Sequence, residues 1–88
     1  MNPILRAVLI YIHNELESKE DKSNRIISVH KLAKHLKISR QDTKRYLSLL
    51  GKLKKIVFDE TYPVHSALSQ GSIRIVSVKV PKKQKEFI

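Results

Sequence analysis

The feature that most constrains this chain is the run Ser28 to Leu50, SVHKLAKHLKISRQDTKRYLSLL, where two short amphipathic helical patterns meet at the tight junction Leu36-Lys37-Ile38-Ser39. Val29, Leu32, Ala33 and Leu36 recur at the three- and four-residue spacing of one helix face. Ser28 stands before them as an N-cap, because its hydroxyl can accept from an otherwise unpaired N–H of the first turn. Ser39 repeats that arrangement for the next helix, with Asp42 three residues on as a capping-box partner and a carboxylate at the positive end of the helix dipole. In that helix Thr43, Tyr46, Leu47, Leu50 and, at its end, Leu53 fall inward by spacing, while Arg40, Gln41, Lys44, Arg45 and Ser48 fall on the outer or flanking surface.

Charge adds a second constraint. From His30 to Lys55 nine Lys and Arg meet only Asp42, and the whole 88-residue chain has 18 Lys and Arg against 8 Asp and Glu, a net charge of +10. Such a surplus favours a polyanionic partner, duplex nucleic acid before an anionic membrane surface. The acids Glu15, Glu17, Glu20 and Asp21 cluster in one segment, so the molecule is polarised.

The flanking segments complete a coarse architecture. Asn2 and Pro3 open a first helix whose Ile4, Leu5, Val8, Ile12 and Leu16 form an apolar stripe. Leu9, Ile10 and Tyr11 widen that stripe, as a broad core face or as a surface for a second subunit. The helix ends within the polar stretch 17–24. Arg25-Ile26-Ile27 reads as a short strand, and Ile56-Val57-Phe58 with Ile73 to Val80 as an antiparallel hairpin joined by an irregular segment containing Pro63 and Gly71. Gly51 is expected to end the third helix, with continuation into Lys52–Lys55 as the alternative. One α+β domain over residues 1–81 and a basic tail over 82–88 account for the length.

Other classes fit poorly. No apolar run approaches the roughly 18 residues of a membrane span, and MNPILRAVLIYI, with no basic leader or small-residue cleavage site, reads as a folded helix rather than a signal. The chain has no cysteine, which removes disulfides and Cys-ligated zinc and is compatible with a reducing cytoplasm. His13, His30, His35 and His65 lack metal-ligand spacing, and no nucleophile elbow, phosphate-cradling glycine loop or carboxylate pair marks an enzyme. No cofactor or metal is therefore expected. A Lys- and Ile-rich composition with two glycines leans toward a thermophile.

The order helix, strand, helix, turn, helix, hairpin, with LAKHLKISRQDTKRYLSLL at its centre, resembles the winged helix-turn-helix family. Ala33 matches the small residue that lets the two helices approach, and Ile38 the apolar plug of the turn. Lys37 departs from the pattern where Gly is usual, and Thr43 where Val or Ile is usual. A left-handed turn residue and a Thr hydroxyl bonded back to the preceding turn would accommodate both. The segment Ile56 to Ile73 holds no Lys or Arg, unlike the cationic wing tip common in the family. Tyr62, His65, Ser69 and Gln70 are its polar candidates for a contact there.

The resemblance implies a small, cytoplasmic, nucleoid-associated transcriptional regulator of repressor type that inserts helix three into the major groove of double-stranded DNA. It places Arg40, Gln41 and Lys44 nearest the bases. Lys31, Lys34, His35, Lys37, Arg45, Ser48, Lys52 and Lys55, with Arg74 and Lys79 from the hairpin, are expected on phosphates. A homodimer is expected, since one recognition helix covers few base pairs, with Leu9 and Tyr11 or Phe87 and Ile88 as its interface. Two alternatives stay open: a basic accessory subunit of a replication, transcription or repair assembly that uses the body for protein contacts, and a nonspecific architectural DNA-binding protein.

Overall fold

Three helices lie against a three-stranded antiparallel sheet in the computed structural model, which describes residues 2–59 and 71–80. In chain order the elements are α1 (Pro3–Ser18), β1 (Ile26–Ser28), α2 (Val29–Leu36), α3 (Arg40–Lys52), β2 (Ile56–Phe58) and β3 (Ser72–Val78). Strand order is β1-β3-β2, so the last strand lies between the two shorter ones.

Each helix starts where its cap dictates. Asn2 Oδ1 accepts from the Ile4 N–H at 2.8 Å ahead of Pro3, which has no N–H to satisfy. Ser28 and Ser39 hydroxyl oxygens accept from the N–H of Lys31 and Asp42 at 3.2 and 3.0 Å. The Asp42 carboxylate turns to Arg45. Thr43, fully buried, donates its hydroxyl to the Ser39 carbonyl at 2.9 Å, which satisfies a polar group in the core.

Both α2 and α3 end in the same way. Lys37 and Lys54 adopt left-handed backbone conformations, with φ of 57° and 60°. The following N–H groups reach back into the helix, Ile38 to Ala33 at 3.1 Å and Lys55 to Leu50 at 2.9 Å. Lys37 and Lys54 themselves donate to Lys34 and Gly51 at 3.3 and 3.1 Å. These are paired Schellman closures, and a Lys occupies the position that glycine usually takes. Gly51 is thus not the terminator. It lies inside α3 because a Cβ there would stand 2.7 Å from Cε2 of the Phe58 ring.

The core is drawn from every element. Leu5, Val8, Leu9, Ile12 and Leu16 of α1 meet Val29 and Leu32 of α2, Leu47 and Leu50 of α3, and Ile27, Ile56, Ile73 and Ile75 of the strands. Leu9 is 0% exposed, so the widened stripe of α1 is a broad core face at that position and Leu9 is not available to a second subunit. Tyr11 packs half-buried against the core, as does Tyr46. Leu53, expected inward at the end of α3, is 50% exposed because the helix has already closed.

The short strand before α2 joins the hairpin strand. Ile26, Ile27 and Ser28 face Arg74, Ile73 and Ser72, and the Val29 N–H donates to the Gly71 carbonyl at 2.9 Å. On the other side Val57 faces Ser77 and Phe58 faces Ile75, which leaves Val76 as an extra residue in β3. Arg25 holds this bulge, its Nε and Nη2 donating to the Ile75 and Val76 carbonyls at 2.9 and 3.0 Å. Ile73 and Ile75 face the helices; Arg74 and Val76 face away. The expected wing-tip contacts Tyr62, His65, Ser69 and Gln70, the tail 82–88 and its Phe87 and Ile88 lie outside the described residues.

Candidate nucleic-acid interface

The outward face of α3 follows from its buried one. With Thr43, Leu47 and Leu50 buried, the helical turn of about 100° per residue puts Gln41, Arg45, Ser48 and Lys52 diametrically opposite, in a four-three-four spacing along the rod. Gln41, Arg45 and Lys52 are exposed and Ser48 is half-buried. Arg40, Lys44 and Gly51 form the flank turned to the sheet, and Asp42, Tyr46, Leu49 and Leu53 the opposite flank.

Contacts confirm that flank. The Arg40 guanidinium lies 3.1 Å from where a Cβ on Gly71 would stand, and Gly71, with φ of +84°, is in a conformation that L side chains rarely adopt. Arg40 is therefore laid along the start of β3, while Gln41 points straight to solvent. Lys44, one turn on, is half-buried on the same side.

The other sequence-selected residues divide by location. Lys34 and Lys37 are exposed at the C-terminal end of α2, beside the turn into α3. His35 lies instead against α1, its ring centroid 4.8 Å from that of Tyr11 at an interplanar angle of 40°, in a hollow with Ala7, Asn14 and Ser18. Burial, and after it the charge of Glu15, push the Tyr11 phenol above its usual range. Lys31 lines a separate hollow with Glu15, Lys19 and Ser72. Lys55 is half-buried at the start of β2, its carbonyl accepting from the Lys79 N–H at 2.8 Å, and Lys79 itself is exposed. Arg74 sits on the sheet face turned away from the helices, 3.7 Å from the Asp59 carboxylate.

The structure therefore brings together Lys37, Arg40, Gln41, Lys44, Arg45, Ser48 and Lys52 on and beside α3, with Lys34 adjoining. It sets Lys31, His35 and Arg74 on other surfaces. Asp42 engages Arg45 without covering it, since the Arg45 side chain is 74% exposed. An exposed pair of this kind contributes little to stability and leaves the guanidinium able to exchange carboxylate for phosphate.

Two residues escaped the sequence reading. Arg25 is a sheet clamp whose only advance signal was a cation next to a β-branched pair. Lys54 is an exposed cation at the end of α3, and its left-handed backbone cannot be read from a Lys-rich string. Among the described residues no group of three or more His, Cys, Asp or Glu is placed to hold a metal ion, and no helix is long and apolar enough to cross a membrane. Comparison of the chain with protein-family models, curated proteins and solved structures gives no match.

Proposed function

We propose that this chain is a winged helix-turn-helix protein that binds double-stranded DNA through α3 and serves as a small transcriptional regulator. The observation that carries this reading is the solvent face of α3. It is a rod of helix width with Gln41, Arg45, Ser48 and Lys52 along its crest and Arg40 and Lys44 on one shoulder, backed by a fully buried underside. A helix of this kind fits the major groove, which is about 12 Å wide.

Within the proposal, Gln41 is the side chain best aimed at base edges, and Arg40 and Lys44 reach the same groove from the sheet side. Lys34, Lys37, Arg45 and Lys52 sit at the two ends and along the crest, where flanking phosphates pass. The cations at Lys37 and Lys54 are kept at positions where glycine would serve the backbone better, a cost that points to use of the side chain. A homodimer on two half-sites supplies specificity that one helix lacks. With Leu9 in the core, its surface on α1 reduces to Ile10 and Tyr11.

The test is selection of bound sites from random duplexes, followed by titration of the selected site across salt. A consensus sequence is expected, with log affinity falling at a slope of about −5 against log salt for five or six neutralised phosphates. Substituting Gln41→Ala should relax the consensus by about 1 to 3 kcal/mol at one position. No enriched sequence would make the protein a nonspecific DNA binder, and unchanged affinity in an Arg40→Ala, Lys44→Ala double variant would remove α3 as the reading element.

A further inference from the structure

A groove of about 700 Å³ runs between the C-terminal half of α3 and β2, lined by Ser48, Gly51, Lys52, Lys54, Ile56, Val57 and Phe58. Its floor is apolar. Gly51 has no side chain, so the Phe58 ring lies directly on the helix, and Val57 beside it is 46% exposed. Its rim is cationic, with Lys52 and Lys54 exposed and no acid among the described lining residues. Lys54 holds that rim position in a left-handed conformation that glycine would adopt at lower cost, and it is fixed there by the Schellman bonds of the α3 terminus.

We propose that this groove docks an acidic peptide segment of a partner protein, one that carries bulky apolar side chains between its carboxylates. Charge complementarity selects the acids: the charged residues of the described rim are Lys52 and Lys54, on a molecule of net charge +10. The floor selects the apolar residues, because Val57 and Phe58 gain nothing from a phosphate but lose water to a Leu or Phe. A second copy of this chain is the wrong occupant. It brings its own surplus of positive charge, and a groove seated on a different surface of its twin makes a head-to-tail contact that propagates into filaments rather than closing. Ser48, Lys52 and Lys54 are shared with the proposed DNA face, so peptide and DNA are expected to compete, but the peptide titration contains no nucleic acid and its failure is read separately from a failure to bind DNA.

The experiment is fluorescence anisotropy of a labelled synthetic peptide of about twelve residues, Glu and Asp with three Leu or Phe at helical spacing, titrated with the full chain at about 0.15 M salt. A second peptide with Ser in place of the apolar residues has the same charge. The apolar peptide is expected to bind at least about tenfold more tightly than the Ser peptide, with Val57→Asp and Lys52→Glu each weakening it about tenfold. Lys31→Glu, the same charge change on another surface, is expected to alter it by less than about threefold. Circular dichroism checks that each variant keeps its helices. In the unaltered chain, amide shifts at Gly51, Val57 and Phe58 on adding peptide supply a readout that needs no variant. Equal binding of the two peptides, equal effects of Lys31→Glu and Lys52→Glu, or shifts confined to other residues would overturn the proposal.

Discussion

Gly51 shows how one absent side chain sets a local structure. In a helix interior Ala is favoured over Gly by roughly 1 kcal/mol. At this position the new methyl would meet the Phe58 ring at 2.7 Å, and the ring is packed against the core. Forced overpacking costs typically about 1 to 3 kcal/mol, so the clash outweighs the propensity. Gly51→Ala is expected to lower unfolding stability by about 1 kcal/mol, and Gly51→Ala with Phe58→Leu to recover most of that loss, as read from urea midpoints. A gain from Gly51→Ala alone would mean that the ring is free to move. Glycine in the sequence pointed to a helix end, but it takes the ring of a residue seven positions on to show that it marks a close approach instead.

At the scale of elements, α2 and α3 close with lysines where the backbone would prefer glycine. Lys37→Gly and Lys54→Gly are each expected to raise stability by about 0.5 to 1 kcal/mol, additively because they terminate different helices. The same variants are expected to weaken whatever their cations bind, a trade seen by pairing thermal unfolding with binding titration. Helix starts were legible in the sequence because caps are local: Asn2, Ser28 and Ser39 each act on an N–H two or three residues away. The helix faces were legible for the same reason, through spacing. Depth was not. Leu9 and Leu53 look alike in the string, yet one is sealed beneath the other elements and the other stands beyond a completed helix turn. Arg40 and Gln41 are adjacent in the chain, but Arg40 leans on Gly71, a residue 31 positions away that no local spacing points to. Likewise β1 is three residues whose place in the sheet depends on partners 44 to 48 positions away.

Over the whole molecule, positive charge is what the fold leaves least compensated. Of the 15 Lys and Arg among the described residues, the ion pairs there engage Arg45 and Arg74, both at the surface. Mutual repulsion of a net charge of +10 therefore opposes folding, and screening relieves it over about 10 Å at 0.1 M salt. The melting temperature is expected to rise by several degrees between about 0.02 and 0.3 M sodium chloride, whereas DNA affinity falls over the same interval. A melting temperature indifferent to salt would show the charges to be better compensated than their pairing implies. The fork of Arg25 on two successive carbonyls of β3 bears on the molecule in another way. It anchors the chain entering β1 to the middle strand, while residues 20–24 just ahead of it are exposed. That stretch can be lengthened with neither end displaced, so a fluorophore-bearing insert or a second module grafted between Ser18 and Asn24 would report on the protein while leaving α3 and its neighbours as they are.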